Sequence, residues 1–150
     1  MRTLVWIVLL GACGGGDDAV GEPLIETTLT GDFDGGAFTP AFGFARMGTT
    51  TFGIYVGTGK ISCAEDFMGT PPNGDFVAIG IPSPTVGSYG SVLFNFVHVD
   101  GDLDGKGSNE GLVMVSAVTE TEISAILSYD QTITGTHLKL SGSVTLLRCP

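Results

Sequence analysis

Ile123-Ser124-Ala125-Ile126-Leu127-Ser128-Tyr129 is the stretch whose reading decides the fold. Ile123, Ala125, Leu127 and Tyr129 alternate with Ser124, Ile126 and Ser128. A period of two puts one set of side chains on one face of a β-strand, so this segment reads as half-buried strand. Outward from it the same pattern recurs. Residues 112–118 form a strand before it, and residues 132–140 and 143–149, around Gly142, form the last strands after it. Residues 92–99 carry Val92, Phe94 and Phe96 on one face and Leu93, Val97 and Val99 on the other, which predicts a strand covered on both sides. Nearer the start, residues 24–33 alternate Ile25, Leu29 and Phe33 with Glu26, Thr28 and Asp32. Asp34-Gly35-Gly36 supplies a hairpin turn, because Asp and Gly tolerate positive φ. The return strand, residues 37–47, sets Phe38, Phe42 and Phe44 on one face; Gly48-Thr49-Thr50 turns again. Phe52, Ile54 and Val56 share a face, residues 60–63 read as a short strand or a continuation of that one, and residues 76–81 as a buried strand that Pro82 and Pro84 end.

No long window shows helical periodicity. Short strands punctuated by glycine-rich turns predict an all-β domain: an antiparallel β-sandwich of about 8–10 strands, with a closed β-barrel as the alternative. The chain has 150 residues, 43% hydrophobic and 15% charged, which fits one folded domain and not a highly charged disordered chain. Glycine contributes 24 residues without a collagen repeat. The net charge of −10 argues against nucleic acid or an anionic lipid surface as partner, since each needs a basic footprint.

The N-terminus has its own logic. Arg2 precedes an apolar run over residues 4–10, followed by Gly11 and Ala12, the form of a short export signal. The run is far below the roughly 20 residues needed to span a bilayer. Leu10-Gly11-Ala12-Cys13 resembles a bacterial lipobox. That resemblance implies cleavage after residue 12, acylation of Cys13, and a lipid bilayer as partner; two or more acyl chains give stable anchoring where one is marginal. Residues 13–22, with Gly14-Gly15-Gly16-Asp17-Asp18, then serve as a flexible tether, and residues 23–150 form the domain. Loss of Arg2 leaves five basic against sixteen acidic side chains, a charge of −11. Gly14 stands where an Asp would mark inner-membrane retention in lipoproteins of the enterobacterial type, so the resemblance implies an outer-membrane address.

Beyond the leader, the chain resembles small Gram-negative lipoproteins that carry one all-β domain and no assigned activity. The carrying features are the residue 30–40 stretch Thr-Gly-Asp-Phe-Asp-Gly-Gly-Ala-Phe-Thr-Pro, the central Cys63, Gly87-Ser88-Tyr89 before a long strand, Thr134-Gly135-Thr136 and the near-terminal Cys149. That likeness implies a fold and an address and carries over no catalytic residue.

With Cys13 lipidated, Cys63 and Cys149 remain. An even pair in an exported protein reads as a disulfide; free thiols or a metal or redox pair are the alternatives, and neither Cys lies in a C-x-x-C motif.

The sharpest chemical pattern is Asp100-Gly101-Asp102-Leu103-Asp104-Gly105. Carboxylates at positions 1, 3 and 5 with Gly at 6 match the first half of a calcium loop. Position 12 is Gly111 and Glu110 falls one place early, so the loop is no EF-hand, and a solvated acidic loop over residues 100–111 is the competing reading. A bound Ca²⁺ would use Asp100, Asp102 and Asp104, with the Lys106 carbonyl and Glu110 as weaker candidates. Glu65 and Asp66 could form an acid pair. His98 shares the face of Phe94 and Phe96 and neighbours Asp100, but no Gly-x-Ser-x-Gly elbow accompanies it. His137, alternating with Lys139, is expected on the surface. Gly57-Thr58-Gly59-Lys60 lacks the first Gly and the Ser/Thr of a phosphate loop. The phenylalanines read as core, or as the wall of an apolar groove. Three functions follow: a non-catalytic interaction or structural domain on a lipid tether, a carrier for a small apolar ligand with a cavity of at least roughly 300 Å³, or a hydrolase. The first fits the scatter of polar residues best.

Overall fold

A computed structural model describes residues 21–64, 74–99 and 103–150, with side chains at all of these except 99, 103 and 104. The described residues hold ten strands and no helix: β1 (Glu26–Thr27), β2 (Thr30–Phe33), β3 (Gly36–Phe38), β4 (Phe42–Met47), β5 (Phe52–Gly57), β6 (Phe76–Ile81), β7 (Gly87–Val99), β8 (Leu103–Val118), β9 (Glu122–Ile133) and β10 (Thr136–Arg148). Strands β4 to β10 pair in chain order, each antiparallel to the next. β10 then pairs with β4 in parallel, Leu147 with Phe44 and Arg148 with Ala45, and closes a seven-strand barrel. The expected sandwich is therefore corrected to the closed barrel. A sandwich leaves edge strands with unpaired N–H and C=O groups; here the last strand returns to the first, so β4 to β10 close into a ring and the β2–β3 hairpin lies outside it.

The second edge of β10 explains how the closure is completed. From its N-terminal end it pairs with β2 (Leu138 with Phe33 through Ser141 with Thr30), then β1 (Val144 with Thr27), then β4. The chain entering β1 bonds to β4 instead: Leu24 N donates to Ala41 O and Gly43 N to Glu22 O. One N-terminal segment thus fills the opening between two strands that touch only at their ends. This splits the single strand expected over residues 24–33 and leaves Ile25 47% exposed, against the inward face predicted for it. The return strand is likewise broken, into β3 and β4 around Pro40, where a missing N–H interrupts the ladder. Residues 60–63 are not strand.

Turns follow local chemistry. Asp34 (φ 55°) and Gly35 (φ 83°) join β2 to β3, and Thr134 (φ 47°) and Gly135 (φ 84°) join β9 to β10. Paired positive φ values are those of the type I′ turn that suits the twist of a two-residue hairpin. The lumen is filled by one continuous cluster that includes Ile54, Val77, Phe94, Phe96, Val113, Leu127, Tyr129 and Leu140, all buried. The inward set of β9 is the one read from the sequence. The outer face of β7 is not covered along its length: Leu93 is exposed while Val97 is buried. β7 and β8 stay in register only through irregularities between Tyr89 and Phe94, where Ser91 takes a φ of 56°. Such bulges bend and twist long strands as a barrel wall requires.

The disulfide joins Cys63 to Cys149 with their Cα atoms 5.5 Å apart. Cys149 N donates to Ala45 O, so the bond sits beside the parallel seam.

Candidate functional site

Five chain segments converge at one end of the barrel: the residues before β6, the end of β7, the start of β8, the β2–β3 hairpin and the start of β10. Register brings them there, since Phe76 pairs with Val97, Phe96 with Lys106, and Phe33 with Leu138. Alternation then sets the side chains. His98 stands two residues beyond Phe96 on the inward face, above the last core layer. That layer is aromatic: Tyr129 stacks on Phe94 with centroids 5.1 Å apart and lies 5.1 Å from Phe96, while its hydroxyl is 2.9 Å from Ser108 Oγ.

Above this layer lies a cavity of about 400 Å³ lined by Phe33, Asp34, Gly36, Asp75, His98, Lys106 and Thr136. His98 Nδ1 is hydrogen-bonded to Asp75 Oδ1. An ionised carboxylate only accepts, so the bond places a proton on Nδ1 and leaves Nε2 as a lone pair when the ring is neutral and a donor when it is charged. The Phe33 ring lies 5.7 Å from the imidazole, tilted by 39°. Lys106 Nζ donates to Thr136 Oγ1 over 2.7 Å. Thr136 is the buried polar residue of the described core, and its hydroxyl is satisfied by this bond. Lys106 is half-buried, and among the described residues no carboxylate lies within ion-pair distance of it. The arrangement offers an ammonium, an oriented imidazole, a hydroxyl and an aromatic face to one space. Among the described residues no hydroxyl or thiol is hydrogen-bonded to His98 Nε2, and the Thr136 hydroxyl is engaged by Lys106.

A second polar group lies close in sequence and on the surface. His137 Nε2 is 2.8 Å from Asp130 Oδ1, Lys139 Nζ is 3.6 Å from Asp130 Oδ2, and His137 Nδ1 is 3.9 Å from Asp32. The hydrogen bond from His137 holds the Asp130 carboxyl below its usual value; desolvation opposes it, and the charges of Lys139 and His137 add to it. His137 is exposed, as its alternation with Lys139 predicts.

The sequence candidates distribute unevenly. Residues 103–111, expected within an acidic loop, belong to β8; the backbone of Asp104 pairs with His98. Asp100 and Asp102 lie outside the described residues, as do the Asp104 side chain, Glu65, Asp66 and Cys13. Glu110 is exposed on β8. Among the described residues no group of three or more His, Cys, Asp or Glu side chains is placed to hold a metal. His98 is hydrogen-bonded to Asp75, 23 positions away. Phe38, Phe44, Phe52, Phe76, Phe94 and Phe96 are core; Phe33 and Phe42 are half-buried, and Phe33 faces the cavity. Sequence reading missed Asp75, Lys106 Nζ and Thr136 as site residues. The available signal was the even spacing from Phe94 through His98; Lys106 stands in a polar row with Asp104, Ser108 and Glu110 and gave none. No family model matches the chain, and neither a curated protein nor a solved structure matches it significantly.

Proposed function

We propose that this chain is an exported lipoprotein, held to a membrane through acylated Cys13, whose β-barrel is a binding module and not an enzyme, with its ligand site at one end of the barrel. The lipobox-like Leu10-Gly11-Ala12-Cys13 supports the anchor. The Cys63–Cys149 bond supports a compartment outside the reducing cytosol. The observation that carries the binding site is the cavity of about 400 Å³ lined by His98, Lys106, Thr136 and Phe33 above a filled lumen. Binding pockets of about 300–1,000 Å³ suit small molecules, and a few converging polar groups set their orientation. The charged lining favours a polar ligand over the apolar cargo of a carrier.

Two measurements test the reading. Intact mass of the protein from membranes should show cleavage before Cys13 and added acyl groups; a retained leader without acylation overturns the anchor. Amide chemical-shift mapping with a library of small polar molecules should give perturbations centred on Phe33, His98, Lys106 and Thr136. Perturbations elsewhere overturn the binding site.

A protein-docking reading has its own support. Leu93, Leu112, Met114 and Ile126 are exposed on the outer face of β7, β8 and β9, with Met114 directly opposite Ile126. Apolar side chains clustered on a surface mark contact sites more often than scattered ones do. Substituting Met114 and Ile126 with Ser should then weaken crosslinking to a partner in intact cells and leave ligand mapping at the barrel end unchanged.

A further inference from the structure

We infer that the ligand of the barrel-end cavity is a small organic monocarboxylate with a flat body, its carboxylate bound by Lys106 and its body laid against Phe33; this rests on the binding site proposed above.

The argument starts from charge. The chain has sixteen acidic and six basic side chains, and a basic group that lines a cavity without an ion-pair partner is a candidate contact for an anion. Lys106 is such a group: its Nζ donates to a neutral hydroxyl, Thr136 Oγ1, and to no carboxylate among the described residues. It is half-buried and lines the cavity, so its ammonium faces the space a ligand would fill. An anionic ligand supplies the missing partner. Thr136 holds the ammonium in place beforehand, which lowers the ordering cost of binding.

The other lining groups narrow the class. Asp75, hydrogen-bonded to His98, and Asp34 both line the cavity. Asp34 and Asp75 set two carboxylates beside one ammonium, so a dianion such as a phosphate monoester is repelled more strongly than a ligand with a single negative charge placed against Lys106. His98, with Nδ1 committed to Asp75, offers Nε2 as a second polar contact. Phe33 contributes an aromatic face beside the imidazole, and Gly36 leaves the hairpin side of the cavity without a side chain. A planar acid uses all of these at once.

The test uses the full chain purified in detergent and three matched probes: 4-fluorobenzoate, 4-fluorobenzamide and 4-fluorobenzylamine, followed by fluorine NMR and by amide shifts. The benzoate should bind about tenfold tighter than the amide, the scale of one charge-assisted contact, and should move the signals of Phe33, His98, Lys106 and Thr136. K106Q should bring its affinity down to that of the amide, and K106R should retain most of it. Equal affinity of the amide or the amine for the same residues overturns the monocarboxylate and leaves the binding site standing. Benzoate affinity unchanged by K106Q overturns the lysine anchor. If no probe moves the barrel-end residues, both the inference and the site fail. The comparison of the three probes on the unaltered protein holds even if K106Q folds poorly.

Discussion

Gly111 shows how a single residue sets local packing. A Cβ placed there would lie 2.1 Å from Cδ2 of Phe94 and 3.0 Å from the carbonyl of Val92. The Phe94 ring is fully buried between this strand and Tyr129, so it cannot swing aside. Gly111→Ala should therefore destabilise by about 1–3 kcal/mol through overpacking, read as a lower urea midpoint with unchanged slope. Leu127, also fully buried, tests the opposite sign of volume change. Leu127→Ala should cost about 2–5 kcal/mol, the range for a cavity in a core that relaxes incompletely. Asp130 carries a pH dependence. Its carboxyl titrates below the usual value of 3.8 in the folded chain, first because of the His137 hydrogen bond. A group with a depressed folded pKa contributes stability above its unfolded pKa and loses it as pH falls through the folded one. The melting temperature should then fall as pH drops below about 3.8, the ordinary value for this carboxyl. Asp130→Asn should remove a small part of that decline; because the pair is exposed, the effect is modest and shrinks in high salt.

Among the elements, β10 does the most. It pairs with β9 along one edge and with β2, β1 and β4 along the other. Its contact with β4 is two residue pairs long and is extended by the Cys149 N–H to Ala45 O bond. So short a parallel ladder is the weakest joint of the ring, and the Cys63–Cys149 bond lies next to it. The two Cys are 86 positions apart, and closing a loop of that length contributes about 4.5 kcal/mol in the chain-entropy model. Replacing both Cys63 and Cys149 with Ser should cost about 2–5 kcal/mol. Hydrogen exchange should rise first at Phe44, Ala45 and residues 147–149, with the β7–β8 hairpin less affected; uniform acceleration would show that the bond does not act at the seam. The β7–β8 hairpin shows what local sequence conceals. Acidic residues and glycines made residues 100–111 read as loop, yet the ladder runs on to Leu103 opposite Val99. Polar side chains are compatible with a strand wherever the partner strand offers its backbone, and that partner cannot be seen in the segment itself.

At the scale of the whole molecule, one ring and one continuous core predict one transition. Far-ultraviolet ellipticity, which reports the strands, and near-ultraviolet ellipticity, which reports Tyr129 and the aromatic layer around it, should change at the same urea concentration. Separate midpoints would mean that the N-terminal segment or the β2–β3 hairpin unfolds independently of the barrel.

By itself the sequence determined the all-β class, the inward set Ile123, Ala125, Leu127 and Tyr129, the hairpin turn at Asp34-Gly35 and the pairing of the two late cysteines. Each depends on information that lies along the chain: a period of two, a residue that accepts positive φ, an even count of thiols. The tertiary structure alone decided between sandwich and barrel, because an inward-facing stripe is the same in both and only the meeting of Leu147 and Arg148 with Phe44 and Ala45 distinguishes them. It also decided the site. Asp75 reaches His98, and Lys106 reaches Thr136 across 30 positions, only because strand register lays their segments side by side at one end of a closed wall.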